Sequence, residues 1–188
     1  MRRLVWGAVA VLLFGSLGGC WSNVKKGYVN PKYPISKVSS IAIMPFSGVQ
    51  GADIAGDTLA LVLTSKGIFE SVVDRSQLQS ILVEHNLDPK LLDEKTLLQK
   101  GNFINADALL TGSVSRFIQG EPHYPVATQS EVAMSLRLVS TETGQIIWTQ
   151  LYSKQSFGRG LMAPNPTDLI IDMVEEIVED LEELKQKP

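Results

Sequence analysis

One cysteine and two histidines leave little material for chemistry in a chain of 188 residues. Cys20 has no second thiol to pair with, so an internal disulfide is excluded and stability must come from apolar packing. His85 and His123 stand without an HExxH pattern and without cysteine partners, so no spacing assembles zinc, and both read as exposed or satisfied side chains. No serine lies in a G-x-S-x-G elbow, which removes the common hydrolase class. Gly48, Gly51 and Gly56 follow an apolar run where a phosphate loop would sit. Their spacing fits neither G-x-G-x-x-G nor a P-loop with its Lys and Ser/Thr, and they read as a turn. Positive charge is also short, with 17 basic against 20 acidic residues, which argues against nucleic acid. A membrane-spanning run is missing too: "LVWGAVAVLLF", after Arg2 and Arg3, falls short of the roughly 20 residues a helix needs to cross a bilayer. A positive start followed by a short apolar stretch makes residues 1–19 a cleaved export signal. No catalytic residue, cofactor or metal is expected from these patterns, and the chain reads as a non-enzyme.

What is present starts at the lone cysteine. Leu17-Gly18-Gly19-Cys20 resembles a bacterial lipoprotein box, with one branched apolar residue and two minimal ones leading an extended chain to the cysteine. The resemblance implies that the Cys20 thiol is diacylated, that the chain is cut before it, and that the new amino terminus is acylated in turn. Trp21 stands where an aspartate would resemble an inner-membrane retention signal, so the expected location is the outer membrane, with the domain facing the periplasm. Losing Arg2 and Arg3 leaves 15 basic residues against 20 acidic, a net charge of −5. Residues 20–37 continue as "CWSNVKKGYVNPKYPISK", polar and interrupted by Gly27, Pro31 and Pro34, and read as a lipidated tether. About 17 residues of tether span less than roughly 60 Å.

The organised domain is expected over 38–188, a length that suits one core. "IAIMPF" (41–46) is a strand buried on both sides, and a helix follows with Asp53 or Asp57 near its start and Gly67 just past its end. "IFESVVD" is a second strand, after which Asp74 caps a helix with Gln77 in a capping box. A further helical segment over 93–104 leads to the strand "ADALLTGSVSRFI". "SEVAMSLRLVS" and "GQIIWTQLYSKQS" form a hairpin about "TETG", with Glu131, Ser135 and Arg137 on its wet face. A final helix starts at Asn165 or Thr167 and carries an apolar stripe from Leu169 to Leu184, its acidic side facing water. The order β-α-β-α-α-β-β-β-α predicts one layered α/β (α+β) domain with a mixed five-stranded sheet, parallel at first and antiparallel in its last three strands.

"VSSIAIMPFSG", "GIFESVVDRSQLQSILVEHNL", "NADALLTGSVSRF" and "LRLVSTETGQIIWTQ" together resemble the curli secretion-channel lipoproteins, the CsgG-like family, over roughly residues 38–155. The TolB amino-terminal domain and the LpoB activator of penicillin-binding proteins are related envelope domains. The resemblance implies an anticodon-binding-domain-like fold and a role in envelope assembly or secretion by protein contact. The short loop 47–52 leaves no room for the channel's constriction loop, so the expectation is a protein that is not itself a pore. The alternative is a lipoprotein that activates a peptidoglycan synthase. Partners are the membrane through Cys20, other envelope proteins and a possible second copy. The candidate contact residues are Arg137, on the wet hairpin face, and Arg159, between Gly158 and Gly160 in the segment 157–164.

Overall fold

A computed structural model describes residues 22–86, 104–120, 127–159 and 165–187, with backbone alone described for 22, 23, 127, 128 and 159. Cys20, His123 and all but the last residue of the expected helix 93–104 lie outside these residues. In chain order the elements are β1 (Ser22–Val29), β2 (Ser40–Ile43), β3 (Ser47–Gly48), α1 (Ala52–Lys66), β4 (Ser71–Val73), α2 (Arg75–Glu84), β5 (Ala108–Ile118), β6 (Ala127–Ser140), β7 (Ile146–Arg159) and α3 (Pro166–Gln186), with a 3-10 turn at Ile35–Lys37. They build one mixed sheet of seven strands in the order β1-β7-β6-β5-β2-β4, with the two-residue β3 beside β5. β2 lies between β4 and β5 and is parallel to both, whereas β5, β6, β7 and β1 run antiparallel in turn.

Each helix follows from its own boundary chemistry. Gly67 closes α1 at φ 63°, a left-handed conformation that glycine adopts without strain. Asp74 accepts the Ser76 and Gln77 N–H groups at 2.8 Å each, while the Gln77 side chain accepts the Asp74 N–H at 3.3 Å, completing the capping box. The Gln77 N–H, then the Ser76 hydroxyl, hold the Asp74 carboxyl below its ordinary range. Asn165 opens α3 by accepting the Thr167 N–H at 3.0 Å, with Pro166 as the first helical residue.

The alternation along β2 divides the core. Ile41 and Ile43 join Leu59 and Leu63 of α1 and the stripe of α3 on one face of the sheet, and Ala42 and Met44 join Leu78 and Leu82 of α2 on the other. β2 is therefore buried on both faces, as its unbroken apolar run requires. The β6 and β7 positions Val132, Met134, Leu136, Leu138, Trp148 and Tyr152 complete the larger core, each at 2% exposure or less.

Two expectations are corrected. The sheet has seven strands, not five, and one of the additions is β1, in the segment read as tether. β1 pairs with β7 along its whole length, Ser22 opposite Gln155 and Val29 opposite Trp148. A polar network locks it down. Asp180 of α3 accepts Tyr152 Oη at 2.6 Å, Gln150 Nε2 at 3.2 Å and the Lys25 ammonium, and Trp148 Nε1 donates to Gln150 Oε1 at 3.1 Å. Gly27 lies opposite Gln150, where an added Cβ would come within 2.7 Å of the Gln150 Oε1, so the close approach needs glycine. Burial, reinforced by the Asp180 carboxylate, raises the Tyr152 phenol above its ordinary value, so it stays a donor throughout the working pH range. Asp180→Ala strands Tyr152 and Lys25 without their acceptor. It should cost about 1–3 kcal/mol in thermal unfolding and speed amide exchange across β1 first.

Candidate functional site

The sheet has two unequal faces. One is covered by α1 and α3; on the other, α2 covers β2 and the start of β5, where Leu109 is buried with Leu78 and Leu82, and among the described residues no helix is packed over the rest of β5 or over β6, β7 and β1. That open face presents Tyr28 at 52%, Leu151 at 40% and Ile146 at 37% exposure, beside exposed Ser135 and Arg137. Toward β2 it deepens into a groove of about 520 Å³ lined by Met44, Pro45, Thr111, Ser113, Arg137 and Thr149, among others.

Arg137 sits at the groove's centre because the register places it opposite Thr111 on β5 and Thr149 on β7. Four of the hydroxyls around it are already committed. Thr149 Oγ1 donates to the Leu136 carbonyl at 2.9 Å, Thr111 Oγ1 to the Arg137 carbonyl at 3.4 Å, and the Ser113 and Ser135 hydroxyls share a bond of 2.8 Å. Among the described residues no histidine, lysine or carboxylate lines the groove to serve a hydroxyl as general base. Among the described residues no cluster of three His, Cys, Asp or Glu side chains is placed to hold a metal, and no helix is long and apolar enough to cross a membrane. The groove is a surface of mixed apolar and hydroxyl character around one guanidinium, suited to contact.

The other expected contact residues separate from it. Arg159 ends β7, ten residues beyond Thr149, or about 33 Å along the strand, so the two arginines do not form one site. Phe157 to Arg159 belong to β7, whereas 160–164 lie outside the described residues. Glu131, expected on the wet face, is only 8% exposed and is paired with Arg116, whose Nη1 lies 2.8 Å from Oε1 and 2.9 Å from Oε2. Of the acidic side of α3, Asp172 pairs with the buried Lys154 at 3.4 Å and Asp180 serves the β1 network, so part of that side is structural. His85 follows α2 at its C-cap, away from the groove. Thr111, Ser113 and Thr149 were not singled out from sequence. Their signal is the period-2 spacing that sets Thr111 and Ser113 on one face of β5.

Two solved structures share the fold at low identity. A PelC dodecamer subunit from Paraburkholderia phytofirmans superposes with a TM-score of 0.59 at 12% identity, covering 86% of this chain and 98% of that one. The lipoprotein GNA1162 from Neisseria meningitidis gives 0.51 at 19% identity, covering 77% and 99%. The LpoB C-terminal domain from Salmonella enterica gives 0.45 at 20% identity, covering 65% and 84%. No curated protein matches the sequence. The family model for the peptidoglycan-synthase activator LpoB matches residues 54–153, which run from the first turn of α1 to the middle of β7 and include the strands that build the groove. That match falls on the activator alternative and not on the secretion-channel-like reading. It covers more than half of the chain, which therefore belongs to the peptidoglycan-synthase activator LpoB family.

Proposed function

We propose that the chain is an outer-membrane lipoprotein, acylated on Cys20, that activates a peptidoglycan synthase by direct contact through the open face of its sheet. The observation that carries this reading is that the family match spans β5, β6 and the first half of β7, the strands that carry Arg137 and its hydroxyl neighbours. Envelope assembly without catalysis by this chain is the role that such a surface serves, since the Thr111, Ser113, Ser135 and Thr149 hydroxyls near Arg137 are bonded into the sheet.

The pairing of β1 sets the reach. Cys20 precedes the first strand residue by two positions, so its Cα lies within about 7 Å of Ser22. The longest strands, of 14 residues, make the domain about 46 Å tall. The synthase must therefore bring its docking domain to within about 50 Å of the anchoring membrane, a tighter limit than a 17-residue tether would set.

A photo-crosslinking residue at Ser135, on the open face, should capture the synthase in intact cells, whereas the same residue at Lys66, near the end of α1, should not. Arg137→Glu should cut the Ser135 crosslink by about tenfold or more, equivalent to about 1.4 kcal/mol of contact energy. It should shift stability by less than about 0.5 kcal/mol. Equal capture from both positions, or none from Ser135, would overturn the reading.

A further inference from the structure

We infer that the end of the domain where β1 begins is a docking surface for the phospholipid bilayer itself, so that the protein stands on the membrane and is not merely leashed to it. The inference rests on the acylation of Cys20 proposed above. Ser22, Gln155, Glu131 and Ile118 are paired in a continuous row across β1, β7, β6 and β5, which places Ile118 three strand spacings, about 14 Å, from the point where the anchored chain enters. The same end collects the start of α1 and α3: a Cβ on Gly51, just before α1, would come within 2.6 Å of the Phe117 ring and 3.0 Å of Ile170.

Around this end the surface carries several exposed apolar side chains. Ile118 is 48% exposed, Val49 47%, Phe157 46%, and Ile54 and Ile171, in the opening turns of α1 and α3, 41% each. These are five of the large exposed hydrophobics of the described residues, drawn from five different segments and brought to one end by the fold. Most of the charged side chains described there are paired with each other, Arg116 with Glu131, Lys154 with Asp172 and Arg75 with Asp53, while Asp168, exposed in the first turn of α3, lies outside these pairs. The contact is therefore apolar, not an attraction to anionic headgroups. With acyl chains attached within about 7 Å of Ser22, a bilayer is the occupant held nearest this surface. In this pose the β6–β7 ladder, which continues four residue pairs, about 13 Å, past this row to Ala127 and Arg159, enters the bilayer interface together with the anchor, and the groove around Arg137 faces sideways.

The mature chain offers a clean test, because acylation consumes its only cysteine. Single cysteines introduced at Val49, Ile118 or Ile171 in the full-length lipoprotein, with Ile146 and Leu61 as controls, carry a nitroxide label. The labelled protein is placed in vesicles of phosphatidylethanolamine and phosphatidylglycerol, and accessibility to oxygen and to a water-soluble nickel chelate is measured by spin resonance. The expected result is an oxygen-to-nickel ratio at the three end positions several-fold above that at Ile146 and Leu61, unchanged in high salt. Uniformly aqueous values with the protein still bound to vesicles would overturn the docking while leaving the anchor in place. A wild-type chain that takes up label at Cys20 and stays in solution would instead refute the anchor.

Discussion

A chain ended before Asn165 loses its cooperative unfolding transition. The reason lies in the periodicity of α3. Leu169, Ile170, Met173, Val174, Ile177, Val178 and Leu181 recur on one side of the helix and are 3% exposed or less, packed on β6, β7 and α1. At about 1.5–3 kcal/mol for each large side chain, the stripe contributes on the order of 10–20 kcal/mol of gross burial, which matches or exceeds the roughly 5–15 kcal/mol net stability of a domain. Removal also takes Asp180 from Tyr152, Gln150 and Lys25, which frees β1. The truncated chain should bind a hydrophobic dye and show no sigmoidal melt by circular dichroism. A melt like that of the full chain would make α3 a peripheral arm and the described core self-sufficient.

The second large effect is on location. Cys20→Ser removes the acceptor for the acyl chains that the sequence "LGGC" predicts, and each buried CH₂ of those chains is worth about 0.8 kcal/mol. A single chain gives marginal binding, whereas two or more hold a protein stably, so the change is from full membrane association to release. The wild-type protein should sediment with the outer membrane and carry an acylated Cys20 by mass spectrometry, and the variant should appear in the soluble fraction. The apolar end around Ile118 does not rescue it, because five partly exposed side chains bury far less hydrocarbon than the acyl chains. An unmodified Cys20 in the mature wild-type protein would remove the anchor from the account.

Much of the fold was legible because local and long-range signals agree. The unbroken apolar run of β2, the Asp74 and Gln77 capping box, Gly67 after α1 and the stripe of α3 each have a periodicity or an end signal that lies within a few residues. β1 had none. Its positions facing α3 are Lys25 and Gly27, which in sequence read as a solvated charge and a breaker. They become strand positions only because Asp180 and Gln150, more than 120 residues away, supply the carboxylate and the close contact. Glu131 fails in the same way. It alternates correctly onto the open face of β6, but Arg116 on the neighbouring strand covers and neutralises it. The groove was half legible: Arg137 could be placed on the open face by alternation, whereas its Thr111 and Thr149 neighbours depend on the register of three strands, which a bulge between Leu138 and Val139 adjusts.

Activation by contact through the open sheet face can be measured with purified components. The peptidoglycan synthase of the same cell is assayed for glycan-strand polymerisation on lipid-linked precursor, alone and with the acylated protein in the same detergent micelles. The wild-type protein should raise the rate several-fold, and Arg137→Glu, with an unchanged melting temperature, should abolish most of the increase. A rate that the wild-type protein leaves unchanged, or that Arg137→Glu stimulates equally, would contradict it.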